Sequence, residues 1–130
     1  MPNITIFDPR HRYIFLPIFV TGKDGKKQDF KALLDTGAPA TEFSDEALRF
    51  AGFLDGKKEV ALKPGLQTQK YGKILLPQIE ICSHVVSNLE VYVSHFEPSW
   101  GIKAIIGLDF FRRFRVTIDY KAGHLETESL

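Results

Sequence analysis

The chain has 130 residues, 44% of them hydrophobic and 25% charged, with a formal net charge of +1. That length fits one domain over residues 1–130 with enough apolar material for a packed core, so disorder is not the default. The near-zero charge offers no footprint for nucleic acid and gives no reason to expect a polyacidic partner.

Residues 1–12 lack the apolar core of a signal peptide, because Asp8, Arg10 and Arg12 interrupt them. Residues 13–20 read as a strand. Gly22-Lys23-Asp24-Gly25 has Asp-Gly turn chemistry. Residues 28–34 read as the returning strand, with Phe30, Ala32 and Leu34 alternating against Asp29, Lys31 and Leu33. This hairpin delivers the chain into Asp35-Thr36-Gly37-Ala38-Pro39-Ala40. Ser44 then has the chemistry of a helix N-cap, with Asp45 and Glu46 in the first turn and Gly52 as the stop. Residues 57–62 and 68–76 read as two strands around a 63–67 turn, and 79–82 and 88–93 add two more. Residues 96–101 form a loop holding Pro98 and Trp100. Residues 103–106 read as a buried strand ending at Gly107. Residues 109–115 suit a short helix, and 116–120 with 124–127 suit a closing hairpin around Ala122-Gly123. The sum is an all-β fold: a closed, mostly antiparallel barrel with one or two short helices.

The segment that carries chemistry is Leu33-Leu34-Asp35-Thr36-Gly37-Ala38. A carboxylate at the end of an apolar strand is costly to bury alone. Thr36 offers a hydroxyl to neighbouring backbone, Gly37 permits close backbone approach, and Ala38 keeps the loop narrow. A strand feeding a rigid small-residue loop fixes a carboxylate in place. The tripeptide alone arises by chance in a chain of this length on the order of 3% of the time, so a second segment decides its weight. That segment is Ala104-Ile105-Ile106-Gly107-Leu108-Asp109-Phe110-Phe111, an apolar strand, a glycine and a short helix.

The two segments, in this order, resemble the retropepsin-like family of aspartic peptidases over roughly residues 13–127. The resemblance implies a closed acid-protease barrel with a flap hairpin. It makes Asp35 the catalytic residue, and Thr36, Gly37, Ala38, Gly65, Ile106 and Gly107 the active-site loop and substrate-binding positions. The flap is expected over residues 57–76 with its tip at Pro64-Gly65-Leu66. One Asp-Thr-Gly is present, not two. A lone aspartate with a pKa near ~3.9 is a weak base at neutral pH. Two carboxylates about 3 Å apart share one proton and supply acid and base at one place. The chain can reach that state only by pairing with a second copy about a two-fold axis. The expected function is an aspartic endopeptidase acting as a homodimer on a polypeptide, with Thr36 bonding across the dimer and no cofactor. The alternative is a retropepsin-like module without catalysis, used for dimerisation or peptide binding. Apolar residues around the loop suggest apolar substrate side chains.

Other reactive residues read as structural. His11, His84, His95 and His124 lack the short spacing of metal ligands, so no metal is expected. Cys82 is the only cysteine, which excludes an internal disulfide and fits a reducing compartment. It shows no basic partner that would make it a nucleophile, so burial is expected. Trp100 is expected to pack on the core, and Asp109 to stabilise a helix start. The basic run Phe111-Arg112-Arg113-Phe114-Arg115 reads as a solvated helix face rather than a phosphate site. No apolar run approaches the roughly 20 residues that span a bilayer, so the expectation is a cytoplasmic protein without a membrane partner.

Overall fold

The structure, a computed structural model, describes residues 2–54 and 69–130. In chain order these form β1 (Asn3–Ile6), β2 (Phe15–Thr21), β3 (Lys27–Leu34), β4 (Glu42–Ser44), α1 (Asp45–Phe50), β5 (Gln69–Ile81), β6 (His84–His95), β7 (Ala104–Ile106), α2 (Leu108–Phe111), β8 (Phe114–Asp119) and β9 (His124–Ser129). A 3-10 turn at Pro98–Trp100 precedes β7. Six strands close a barrel in the order β2-β3-β7-β4-β6-β5, and β1-β9-β8 make a separate three-stranded sheet. The all-β expectation holds. No described helix is long and apolar enough to cross a membrane.

The β2–β3 hairpin shows why the pattern folds this way. Leu16, Ile18 and Val20 are buried on one face of β2, while Phe15, Pro17 and Phe19 alternate outward. Each such side chain contributes roughly 1.5–3 kcal/mol on burial, before the entropy of ordering is counted. Ala32 lies opposite Leu16 and is fully buried, with Phe30 and Leu34 packed beside it on the same face. The Ser44 cap is present: its Oγ accepts from Ala47 N–H at 3.4 Å. α1 ends before Gly52, as the sequence predicts.

Four elements differ from the sequence expectation. The separate strands at 68–76 and 79–82 are one strand, β5, which runs through Pro77. Pro77 precedes the Ile79–Ile81 stretch that pairs with β2, so its missing N–H removes nothing on that side. Strands β1 and β4 carry too little pattern to be foreseen; each exists because a partner strand supplies its bonds. The helix over 109–115 is one turn, ending at Phe111. Arg115 belongs to β8 opposite Glu128, and Phe114 pairs with Ser129. Sheet pairing overrides local helix preference there, and the basic run is the end of a turn and the start of a strand. The expected strand over 57–62 and the flap tip with Gly65 lie outside the described residues. The second arm of that flap, from Gln69 on, continues into β5 and pairs with β6.

β5 and β6 meet in a two-residue turn with left-handed backbone at Cys82 (φ 52°) and Ser83 (φ 64°). Cys82 is buried, as expected, and burial pushes its thiol above the ordinary value. His84 follows this turn and ties the barrel to the outer sheet. Its ring stacks on Phe114 at 4.1 Å, and its Nε2 lies 2.8 Å from Thr127 Oγ1 and 3.3 Å from Asn3 Nδ2. Burial holds the imidazole below its ordinary value of 6.5. The fold therefore favours the neutral ring, and the unfolded chain binds the proton more tightly. This contribution to stability is level above the unfolded value and is lost as pH falls below it. The urea midpoint of the wild type should drop between about pH 7.5 and 5, and His84→Gln should remove part of that drop. Parallel pH slopes in the two proteins would assign the acid sensitivity to other groups.

Candidate active site

Residues 35–41 connect β3 to β4, and β7 lies between those two strands, parallel to β3 and antiparallel to β4. The inserted strand holds the connecting loop from below. Asp35 N–H donates to Ile106 O at 3.0 Å, and Leu108 N–H donates to Ala38 O at 2.8 Å. The loop is thus bonded on both sides of Gly107.

Gly107 is the point of closest backbone approach. A Cβ there would lie 2.7 Å from both Ala38 O and Ala40 O, a distance that no side chain tolerates. Its N–H donates to Thr41 Oγ1 at 3.2 Å. Thr41 is fully buried; its hydroxyl donates to Asp109 Oδ1 at 2.7 Å, and its N–H donates to Asp109 Oδ2 at 2.9 Å. Asp109 stands in the first turn of α2, as foreseen, and also anchors the far end of the loop.

Asp35 stands at the mouth of this frame. Gly37 N–H donates to its Oδ1 at 2.9 Å, and Ala38 N–H donates to its carbonyl at 3.1 Å. Backbone N–H groups, rather than the Thr36 hydroxyl, fix the loop. A Cβ on Gly37 would lie 3.2 Å from Asp35 Oδ1 and crowd the carboxylate. Thr36 and Gly37 are exposed, and Asp35 and Ala38 are half-buried, so the outer face of the loop is open.

Leu33 and Asp35 are two residues apart along an extended chain and share a face. Ile105 is paired laterally with Leu33 on one side and with Glu42 on the other. Those four residues, with Tyr13, Phe15, Trp100 and Ile102, line one cleft. Ile106 is fully buried in the core and reaches the loop through its carbonyl alone, while Ile105 faces the cleft. Asp35, Ala38, Ile106 and Gly107 are therefore brought together, and Gly65 lies outside the described residues. Trp100, expected on the core, tilts against Phe96 at 6.0 Å and also forms cleft wall. Sequence reasoning missed Thr41 and Glu42. The partners of Thr41 are 66 and 68 residues away, so no local signal marks it. Among the described residues no group of three or more His, Cys, Asp or Glu is placed to hold a metal.

Two substitutions test this frame. Thr41→Val keeps the volume but strands Gly107 N–H and one Asp109 oxygen, and should cost about 2–4 kcal/mol in urea denaturation. Gly107→Ala forces backbone apart on two contacts and should cost at least about 3 kcal/mol. Near-wild-type stability for either would mean that the loop is not held from below.

A family model described as "gag-polyprotein putative aspartyl protease" matches residues 23–113, a span that includes both the Asp35 loop and Gly107. The fold is similar to the crystal structure of a retropepsin-like aspartic protease from Rickettsia conorii, with TM-score 0.68 and 20% identity over 98% of this chain and 89% of that one. It is also similar to the retroviral protease-like domain of Ddi1 from Leishmania major, with TM-score 0.62 and 20% identity over 93% and 96% of the two chains. No curated protein matches.

Proposed function

Since the chain belongs to the gag-polyprotein, retropepsin-like aspartyl protease family, we propose that it is an aspartic endopeptidase whose active form is a homodimer with one Asp35 from each copy. The observation that carries this reading is the Asp35 loop itself. Its carboxylate is fixed by Gly37 N–H, its base is clamped at Gly107, and its outer face is open beside a cleft that Leu33, Ile102, Ile105 and Trp100 help to line. A carboxylate so held can meet its symmetry mate without rearrangement of the fold, and a two-fold axis through the loop places identical groups face to face.

In this reading the two Asp35 carboxylates share one proton and hold a water between them. The ionised member takes a proton as the water oxygen attacks the scissile carbonyl carbon, and the protonated member donates to the carbonyl oxygen. The tetrahedral adduct then collapses: the C–N bond breaks, the departing amine takes a proton from one member of the dyad, and the other member takes a hydroxyl proton from the adduct, which restores the shared proton. No covalent bond to the protein forms. Thr36 and Gly37, exposed at the rim, would meet the partner loop and the extended substrate backbone respectively. Ala38 and Gly107 would hold the loop beneath them.

Purified protein should cleave members of a peptide library between about pH 4 and 7, and kcat/KM should follow a bell whose limbs belong to the pair. Asp35→Asn should lower kcat/KM at least about 100-fold. Specific activity should fall on dilution along with the dimer fraction in sedimentation. Equal cutting by the variant would remove Asp35 from the chemistry. A strictly monomeric species that still cuts would remove the pair.

A further inference from the structure

We infer that Lys31, seated on the ring of Phe15 at the rim of the Asp35 cleft, recognises a carboxylate of the peptide, so that the preferred substrate carries glutamate or aspartate three or four residues from the scissile bond. This rests on the peptidase reading above and deepens it by naming a side-chain preference. Phe15, Leu33, Ile105 and Glu42 are lateral neighbours on β2, β3, β7 and β4, and all four line the cleft that holds Asp35. Phe15 stands at one end of that row and Glu42 at the other, about 14 Å apart across three strand spacings. Phe15 also lines a second groove, together with Lys31, Asp29 and Pro17. Its side chain is thus a wall common to the cleft and to the groove that holds Lys31.

The Lys31 side chain reaches towards the cleft. Along β3, Asp29, Lys31 and Leu33 alternate onto one face, and Asp35 continues it. Across the hairpin Asp29 lies opposite Phe19, Lys31 opposite Pro17 and Leu33 opposite Phe15. The Lys31 ammonium lies 4.1 Å from the Phe15 ring centroid, so the side chain leans away from Asp29 and towards the Leu33 end. Among the described residues Lys31 takes part in no ion pair. An aromatic face holds an ammonium in place and leaves its charge standing. The other charged groups at Phe15 are engaged with one another. The His11 ring meets Phe15 edge-on at 5.6 Å and lies 3.6 Å from Asp8, whose carboxylate accepts from Arg10 at 3.0 and 2.8 Å.

The spacing fixes where the acid sits. Leu33 and Lys31 are two residues apart, about 6.8 Å along the strand, and an extended peptide repeats its same-face side chains at the same interval. A peptide lying along β3 with one side chain in the Asp35 cleft sets its next same-face side chain beside Phe15 and Lys31. The first belongs to a residue one or two places from the scissile bond, so the second is three or four places away. A carboxylate there makes a charge-assisted bond to an ammonium that is already held. The seat is exposed, so the gain is modest and salt-sensitive. In a two-fold dimer it occurs on both sides of the scissile bond.

The test uses extended peptides with a hydroxyethylene group in place of the scissile amide, so that binding is read without cleavage. Glutamate or its neutral isostere glutamine is placed in turn at each of the four positions on either side. By calorimetry at about pH 6.5, where glutamate is ionised, and about 20 mM salt, the wild-type protein should bind glutamate at least about threefold tighter than glutamine at the third or fourth position. The ratio should fall towards one at about 0.5 M salt. Lys31→Met, which keeps an apolar stem on Phe15, should abolish it, and Lys31→Glu should invert it. Equal affinity for glutamate and glutamine at the third and fourth positions overturns the inference without any variant. A preference confined to the first two positions, a ratio that survives in Lys31→Met, or no binding by any peptide overturns it as well. The amide counterparts of the same peptides separate this inference from the reading it rests on. Cleavage with no glutamate preference removes the Lys31 contact and leaves the peptidase. A glutamate preference in binding without cleavage keeps the contact and removes the peptidase.

Discussion

The constraint on which the structure depends is the meeting of two backbones at Gly107. There the strand-to-helix joint passes so close to residues 38 and 40 that no side chain fits between them. Hydrogen bonds close on both flanks, Asp35 N–H to Ile106 O and Leu108 N–H to Ala38 O. Thr41 and Asp109 complete a buried polar bracket behind them. Buried polar groups are expensive when unpaired and rigid when fully paired. This bracket is of the second kind, and it turns a connection between two strands into a fixed platform for one carboxylate.

The same insertion of β7 between β3 and β4 builds the cleft. It sets Leu33, Ile105 and Glu42 side by side in one lateral row and leaves Asp35 at the end of it. The fixed loop and the cleft wall therefore come from a single topological feature. The platform needs β7 from below, and the wall needs β7 between its neighbours. A substitution that loosens β7 should disturb both. A substitution at His84, where the start of β6 in the barrel meets the outer sheet, should instead change how stability responds to acid.

An open carboxylate loop in a single chain makes chemical sense when a second copy faces it. The catalytic proposal needs two carboxylates close enough to share a proton, and the chain has one Asp-Thr-Gly. The exposure of Thr36 fits that need, because in the proposal it is the residue that meets the second loop. Glu42 stands on the same cleft wall, where its Oε1 accepts from the buried Ser94 Oγ.

By itself the sequence determined the fold class and the identity of the loop. The alternation in residues 28–34, the Asp35-Thr36-Gly37 turn and the apolar run into Gly107 are local patterns, and local patterns follow from backbone sterics and periodicity. It also determined that the chain carries a single Asp-Thr-Gly. Tertiary structure alone decided which isoleucine faces the cleft: Ile105 and Ile106 are equally apolar, and only the lateral pairing of β7 tells them apart. It decided that the 109–115 segment is one turn followed by a strand, because β9 supplies the bonds. It decided that Thr41 bonds Gly107 and Asp109 and that Glu42 bonds Ser94, each more than fifty residues away in the chain. Hydrogen bonds and cleft walls are contacts in space. A residue whose meaning lies wholly in such contacts leaves no mark on its neighbours in sequence.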